Sequence, residues 1–239
     1  MCMTRSGSRD TPRDARATLV SAAERLFAAQ GIDGVSLREI MREAGQRNTT
    51  SLQYHFENRD GLLRAVLEKH ESDVSTRRHA ILDQIEVRGE GTLRDLASAF
   101  LLPLIPKLRD DHGGPEFLQI AAQLVNRTTE IIDPAEPTGA LVYDSDGSLE
   151  RWSLLVQPFL PPETVGPPLH RRFAVIRFGY IELGRRASVR TGTDDKLFAS
   201  HLTDLISALL SAGVSDETRR YLGSAKNRKH SPMVHTRRH

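Results

Sequence analysis

Hydrophobic residues recur every three or four positions along most of this chain, and glycines or prolines separate one such run from the next. This spacing is typical of amphipathic helices, because it places the apolar side chains on one face. The first run predicts a helix that begins near Thr11 or Asp14 and ends near Gln30, before Gly31. Its buried positions are Leu19, Ala23, Leu26 and Phe27. The pattern as a whole predicts an all-α protein of about nine helices.

Residues 35–56 predict two short helices joined by a tight turn. Gly45 interrupts the helical pattern, and a polar stretch follows it. Ser36 precedes the first apolar residue and Glu39 follows three positions later, so the two can form a capping box at the helix start. The apolar positions of this first helix are Leu37, Ile40 and Met41. The stretch is therefore interpreted as a helix-turn-helix, with a core drawn from Leu19, Leu26, Phe27, Val35, Ile40, Leu52 and Phe56.

The second helix of this pair is polar and almost free of acidic residues. Asn, Gln and Arg can form paired hydrogen bonds with base edges, and Thr can bind phosphate or contact a thymine methyl group. Its candidate DNA-contacting residues are Arg47, Asn48, Thr49, Thr50, Ser51, Gln53, Tyr54 and His55, with Ser36 at the start of the preceding helix. This composition favours a helix that lies in the major groove. The alternative is a solvated surface face.

A long helix is predicted after Asn58, a candidate N-cap, because no proline or glycine intervenes between Gly61 and Gly89. It should reach about Ile85. Its start adjoins the helix-turn-helix and its end lies among the later helices, so a tilt of this helix would move the DNA-reading unit. Arg59 at its N-terminus is a candidate phosphate contact, since free amides there also favour anions.

Residues 15–67 resemble the N-terminal DNA-binding domain of the tetracycline-repressor (TetR) family. The stretch from Ala44-Gly45 to His55-Phe56 is one residue longer than the usual family pattern, and Gln53 stands where an aromatic residue is common. The resemblance covers about a quarter of the chain. The matching residues are Leu19, Ala22, Ala23, Leu26, Phe27, Gly31, Ser36, Ile40, Ala44, Gly45, Leu52, Tyr54, His55, Phe56, Arg59, Leu62 and Leu63.

The helices predicted after Thr92 are more apolar, and a loop is predicted between Asp133 and Gly147. In the resembled family, helices of this region surround a pocket for a small effector. The resemblance therefore implies a ligand site, with Phe100, Phe117, Gln123, Asn126 and Trp152 as candidates. For the aromatic residues among them, the alternative is an ordinary role in the core.

Two final helices carry wide apolar stripes, and Gly179 and Gly184 permit close backbone approach to the first of them. Such stripes must be buried, either inside the subunit or at a twofold contact. In the resembled family the last two long helices pair with those of a second subunit, so a homodimer is implied. The candidate interface residues are Phe173, Ile176, Tyr180, Leu183, Phe198, Leu202, Leu205 and Leu209.

The net charge of +2 by itself gives no support for nucleic-acid binding, but its distribution is uneven. Residues 214–239 hold seven Lys or Arg against two acids, and Arg5, Arg9, Arg13 and Arg16 outnumber the acids before the first helix. Such arms reach for phosphate or the minor groove in some proteins and are ordinary solubilising ends in others. The predicted domains are a disordered basic arm (1–12), a helix-turn-helix domain (13–60), a helical effector-binding and dimerisation domain (61–213) and a disordered basic tail (214–239).

The single cysteine, Cys2, leaves no intrachain disulfide and no Cys-based metal site. No apolar run approaches the length of a membrane span, and the first residues lack the apolar segment of a signal peptide, so a cytoplasmic protein is expected. A nucleophile with His and acid partners, a phosphate-binding glycine loop and a His/Asp/Glu metal set at helical spacing are all missing from the sequence. We therefore expect no enzyme, no cofactor and no metal.

Taken together, the sequence predicts a three-helix helix-turn-helix domain followed by a larger helical ligand-binding and dimerisation domain. The predicted function is that of a ligand-responsive, sequence-specific regulator of transcription, most simply a repressor. It would bind a palindromic operator in double-stranded DNA as a homodimer and be released by a small-molecule effector. The alternative is a helical protein-interaction module without DNA specificity.

Overall fold

The computed structural model describes residues 12–46, 54–127, 139, 141, 146–189 and 194–229 of the 239-residue chain. These residues form helices and connecting turns, with no strand among them, so the predicted all-α class is confirmed. Nine α-helices fall within them: α1 (Pro12–Gln30), α2 (Leu37–Glu43), α3 (Arg59–Arg88), α4 (Leu93–Leu101), α5 (Gly114–Arg127), α6 (Ser148–Val156), α7 (Arg171–Ser188), α8 (Asp195–Ser211) and α9 (Asp216–Lys229). Residues 54–56 are also helical, and short 3₁₀ turns span Ile105–Arg109, Gln157–Phe159 and Pro162–Thr164.

The predicted starts of α2 and α3 are confirmed by their caps. The Ser36 hydroxyl accepts the Glu39 N–H at 3.3 Å, and the Glu39 carboxylate accepts the Ser36 N–H at 2.8 Å, which together make the capping box of α2. The Asn58 side chain accepts the Gly61 N–H at 2.9 Å and caps α3. Helix α3 runs past the predicted Ile85 to Arg88, because the first residue able to end it with a left-handed conformation is Gly89, at φ 72°.

The N-terminal unit, meaning described residues 12–46 and 54–61, packs around one apolar core with the first turns of α3. Side chains of α1, of α2 and of the helical residues 54–56 meet there. The predicted core residues Leu19, Phe27, Val35, Ile40 and Phe56 are buried, Leu26 is half-buried, and Leu52 lies outside the described residues. Helix α3 leads from this unit into the rest of the protein.

The helical body, meaning the described residues from 93 onward, centres on the contact between α5 and α7. A Cβ at Gly184 would lie 2.5 Å from Ala122 Cβ, and a Cβ at Gly179 would lie 2.6 Å from the Phe100 ring. These two glycines therefore permit close packing onto α7, as predicted. The Phe100 ring lies in turn 5.3 Å from that of Trp152.

One prediction for the C-terminal part is wrong. Residues 214–239 were expected to be disordered, yet Asp216–Lys229 form α9. The Ser215 hydroxyl accepts the Thr218 N–H at 3.2 Å, and two acidic residues occupy the first turn, where they favour the positive end of the helix dipole. Arg219 pairs with Glu163 at 2.8 Å and ties the helix to the 3₁₀ turn Pro162–Thr164. Capping and charge thus produce a helix where apolar periodicity is weak.

Among the described residues, no single helix combines the length and apolar character needed to cross a membrane. The segments Asp195–Ser211 and Asp216–Ser224 meet those two requirements only as a pair, with a bend of 56° between them.

Candidate nucleic-acid interface and helical body

Six of the predicted DNA contacts lie outside the described residues: Arg47, Asn48, Thr49, Thr50, Ser51 and Gln53. The structure describes the two flanks of that segment. On one side, α2 ends at Glu43 with Ala44 as its C-cap, and Gly45 takes the left-handed conformation at φ 67° that an L side chain rarely adopts. The Gln46 N–H then bonds the Met41 carbonyl at 2.9 Å and closes the end of the helix.

On the other side, residues 54–56 anchor the segment to the core and expose one large aromatic side chain. Phe56 is buried, while Tyr54 is 81% exposed. The half-buried ring of His55 stands edge-on to Tyr54, with 5.1 Å between ring centres. Tyr54 and His55 thus present donors and acceptors at the surface, next to the acid-poor segment.

The joint between residues 54–56 and α3 has little freedom. Glu57 has φ 58°, a conformation in which a non-glycine residue is strained. A Cβ at Gly61 would lie 2.1 Å from the Phe56 carbonyl oxygen, so only glycine fits at the first turn of α3. This close crossing sets the angle between the candidate DNA-facing segment and the long connecting helix.

Two arginines stack on core aromatic rings at this surface. The guanidinium of Arg59 lies 5.6 Å from the centre of the Phe27 ring, and one of its terminal nitrogens is buried without a hydrogen-bond partner among the described residues. The guanidinium of the exposed Arg16 lies 5.3 Å from the centre of the Phe56 ring. Cation–π stacking of this kind holds an arginine in place.

Arg16 was predicted only as part of a basic arm. Its position one turn before the buried Val20 is the signal that could have placed it beside the core. Both arginines therefore sit at the edges of the segment to which the sequence assigns DNA contact.

The Ser36 hydroxyl is occupied by the cap, since it also donates to the Glu39 carboxylate at 2.7 Å. The hydrogen bonds from the Ser36 backbone and from its side chain hold the pKa of the Glu39 carboxyl below its usual value. Arg25 pairs with Glu43 at 3.2 Å and links α1 to α2. The observed role of Ser36 is structural, and its contact with DNA stays a prediction.

In the part of the chain that the structure describes, the five predicted ligand contacts are not gathered around one cavity. Phe100 and Trp152 are fully buried in the core, and the Trp152 indole donates to the Leu96 carbonyl at 2.8 Å. Asn126 is exposed. Gln123 turns away toward α1, where it accepts the Ile32 N–H at 3.0 Å.

Phe117 alone of the five borders an internal cavity, of about 20 Å³, which is room for a single water. Sequence reasoning missed Arg78, which is 1% exposed, borders the same cavity and donates to the Ser148 hydroxyl at 2.6 Å. The signal was its position four residues from both Val74 and Leu82, which puts it on the apolar side of α3. The other residues around the cavity are Leu67, Glu71, Val74, Leu141, Leu149 and Tyr180.

The predicted dimer interface needs correction for half of its residues. Ile176, Tyr180, Leu183 and Leu202 are at most 3% exposed within the single chain, so they have no surface left for a second copy. They are buried because the apolar face of α7 packs against α5 and α8 of the same chain. The remaining predicted residues keep some exposure: Phe173 and Phe198 are half-buried, and Leu205 and Leu209 are each 38% exposed. Leu197, which was not predicted, is 70% exposed on the same helix.

Within the described part of the chain, no group of three or more His, Cys, Asp or Glu side chains is arranged to hold a metal ion.

Several solved structures of helical regulators are similar to this chain. A tetR-family transcription regulator from Shewanella sp. PV-4 has 16% identity and a TM-score of 0.47, over 81% of this chain and 95% of that one. One from Mesorhizobium loti has 16% identity and a TM-score of 0.46, over 85% and 98% of the two chains. A gamma-butyrolactone receptor described as ArpA-like has 20% identity and a TM-score of 0.38, over 92% and 98%. A comparison with curated proteins finds no match.

The sequence of the N-terminal unit matches a known family directly. Residues 19–66 match the family described as "Bacterial regulatory proteins, tetR family". The matched range contains most of α1, all of α2, the acid-poor segment and the first turns of α3, which are the parts whose caps and crossings are described above. Residues 19–66 of this chain are therefore a tetR-family helix-turn-helix DNA-binding domain.

Proposed function

We propose that this protein is a ligand-responsive regulator that binds a palindromic operator as a homodimer and leaves it when a small molecule occupies the helical body. The observation that carries the proposal is the match of residues 19–66 to the tetR-family DNA-binding domain. The geometry of the flanks supports it. A capped α2 and the anchored residues 54–56 frame an acid-poor segment, with exposed Tyr54 beside it.

Each arginine at the edge of that segment has a role in the proposal. Arg16 and Arg59 stack on rings of the core, so their guanidinium groups are held near the surface and lose little freedom on meeting a phosphate. Arg59 also stands at the first residue of α3, where helix-end amides favour an anion. Thr50 and Gln53 are assigned to base contact on the basis of sequence alone.

A twofold contact through α8 is the basis for the proposed homodimer. Leu205 and Leu209 are four residues apart and exposed on one face, and Leu197 lies two turns before Leu205. A row of exposed leucines on one helix suits a self-complementary contact between two copies. Such a dimer would place two reading segments on one side of the duplex, about 34 Å apart or somewhat more, and would read an inverted repeat.

The cavity beside Phe117 is the proposed origin of ligand response. In the conformation described it is too small for an effector, so an effector must displace its walls. Leu67, Val74 and Arg78 of those walls lie on α3, the helix whose first turn joins the N-terminal unit. Moving the population from 1:99 to 99:1 would require about 5.5 kcal/mol of differential affinity between the two conformations. A buried and well-matched ligand is therefore expected.

Selection of duplex fragments from a random pool by the purified protein tests the DNA-binding part of the proposal. We expect an enriched inverted repeat. With that duplex, Thr50→Ala and Gln53→Ala should relax base preference, whereas Arg59→Ala should weaken all sequences about equally. Arg77→Ala is the matched control, because Arg77 is an exposed arginine of the same helix that pairs with Asp73.

Affinity that is indifferent to base sequence would refute the operator. A salt titration then separates the alternative of a protein-interaction module, since phosphate contacts make the affinity fall steeply with salt concentration.

The dimer has its own test. Leu205→Glu should shift the protein from dimer to monomer in sedimentation velocity, because a charge would be buried at the twofold contact. Val87→Glu is the control, since Val87 is 87% exposed on α3 and lies outside the proposed interface. A dimer that survives Leu205→Glu would place the contact elsewhere.

A further inference from the structure

Three buried ionisable side chains meet where the N-terminal unit contacts the body. Glu24 of α1 is 2% exposed, His70 of α3 is 1% exposed, and Lys107 of the 3₁₀ turn before α5 is 6% exposed. Buried charges are costly unless they are paired, so this junction must be held by specific contacts. The helix caps and the DNA-facing surface described above do not explain why these three side chains are buried together.

The Glu24 carboxylate is the contribution of the N-terminal unit. One oxygen accepts from Lys69 Nζ at 2.6 Å, and the other lies 2.6 Å from His70 Nε2. The loop at Gly113 of the body packs directly against this carboxylate. Gly113 has φ 97°, and a Cβ at this position would lie 2.0 Å from the Glu24 carboxylate oxygen. Glycine at position 113 is therefore a condition for this contact.

His70 stands between two carboxylates that belong to different parts of the fold. Its Nε2 faces Glu24 of the N-terminal unit, and its Nδ1 lies 3.9 Å from the Asp110 carboxylate of the body. The ring is held in this position by stacking on Phe117, with 4.8 Å between ring centres. A neutral imidazole carries one N–H, whereas the imidazolium carries two. Only the protonated form therefore directs an N–H and a positive charge at both carboxylates.

The other charges around His70 come from each element packed on it. On the side of the body, Lys107 Nζ lies 3.0 Å from both Asp73 and Asp110. Burial acts to raise the pKa of the Asp110 carboxyl, but hydrogen bonds from Lys107 and from the His112 backbone, together with the charges of Lys107 and His70, outweigh it and lower that pKa. Asp110 is thus an anion that His70 can face. Charged or titratable groups in this region are Glu24 and Arg25 of α1, Lys69 and Asp73 of α3, Lys107 of the 3₁₀ turn, Asp110, Asp111 and His112 just after that turn, and Glu116 of α5.

We propose that His70 is a positioning residue which, when protonated, bridges Glu24 of the N-terminal unit to Asp110 of the body, so that operator binding is linked to a proton. The inference rests on the proposed DNA binding. If α3 tilts between the DNA-bound and the released conformations, the distances across this bridge differ between them. Protonation of His70 then favours the conformation that keeps both carboxylates in place.

The test measures operator affinity against pH, with the duplex selected from the random pool as probe and salt held constant. The dissociation constant of the natural protein should change by at least about threefold between about pH 6 and pH 8, because one linked proton allows up to about tenfold per pH unit. His70→Gln should remove this dependence. Any contribution of His55 on the DNA side is common to both proteins, so the difference between their slopes isolates His70.

His79→Gln is the matched control. His79 lies on the same helix, and its ring nitrogens face the Asp146 carbonyl at 3.1 Å and Arg151 at 3.2 Å instead of carboxylates. This variant should keep the natural slope. Asp110→Asn provides a second test that does not depend on the folding of His70→Gln, because it keeps the Glu24 contact while removing the second carboxylate. It should reduce the slope.

The outcomes separate the two proposals. A protein that binds its selected duplex with no pH dependence, or with a slope that both His70→Gln and Asp110→Asn retain, overturns the proton-linked bridge alone. A protein that selects no duplex overturns the proposed function, and the bridge with it.

Discussion

Replacing Gln123 with alanine tests how the body holds the N-terminal unit. The Gln123 side chain reaches from α5 to the end of α1, where it accepts the Ile32 N–H at 3.0 Å and donates to the Phe27 carbonyl at 3.3 Å. Gln123→Ala removes both bonds and adds no new group. Nearby, Arg127 of the same helix forms an ion pair with Asp33, which the substitution leaves in place.

The expected cost follows from the burial of the two backbone groups. Ile32 is 2% exposed, and a buried donor that loses its acceptor costs about 1–3 kcal/mol. The Phe27 carbonyl keeps the Gly31 N–H at 3.1 Å, so the second bond adds little. Gln123 is only half-buried, and water that enters the gap recovers part of the loss. We expect a loss of about 2 kcal/mol, which for a chain of this length is a fall in Tm of about 4–8 °C.

Thermal unfolding followed by circular dichroism measures the global effect, and hydrogen exchange of the Ile32 amide measures the local one. Gln119→Ala is the control. Gln119 lies one turn earlier on the same helix, and its amide donates to the Pro115 carbonyl of that helix at 3.3 Å. Equal Tm shifts for the two variants, or unchanged exchange at Ile32, would refute the view that Gln123 joins α5 to α1.

Three further predictions concern the N-terminal unit. Ser36→Ala should cost about 0.5–2 kcal/mol of stability and weaken operator binding in anisotropy titrations. Thr92→Ala removes the similar capping box of α4, so it should cost as much stability but leave operator affinity nearly unchanged. Gly61→Ala should abolish operator binding, because its Cβ would lie 2.1 Å from the Phe56 carbonyl; binding at natural affinity would contradict the crossing described. Since the pKa of Glu39 is lowered in the folded protein, its contribution to stability is complete above the ordinary carboxyl pKa and is lost as the pH falls through the lowered value. Acid unfolding of Glu39→Gln should therefore depend less steeply on pH than that of the natural protein. An identical acid transition would show that the Glu39 carboxylate does not stabilise the fold.

Much of the N-terminal unit was predictable from neighbours in sequence. The caps at Ser36 and Asn58 involve residues three positions apart. The helical spacing of apolar residues such as Leu19 and Ile40 predicted which side of each helix faces the core. These signals are local, because a cap or an apolar face is set within one or two helical turns. The same reasoning misjudged α9, where capping and charge produce a helix without a clear apolar stripe.

The surface that covers the apolar stripes of α7 and α8 could not be predicted from the sequence of either helix. Periodicity indicated that Ile176, Leu183 and Leu202 are buried but not which surface covers them, and the covering surface is the same chain. The choice between the subunit interior and a second copy depends on how the helices pack, and a single helix carries no information about its partner.

The amino-acid sequence by itself determined the helical class, the starts of α2 and α3 and the kinship of residues 19–66, because each depends on residues close together in the chain. Only the tertiary structure decided what the buried polar side chains do. Glu24 and His70 are 46 residues apart, and Gln123 and Ile32 are 91 residues apart. Hydrogen bonds and ion pairs between residues so far apart in the sequence form only once α1, α3 and α5 have packed together. The position of a polar residue on its own helix does not show which group will face it.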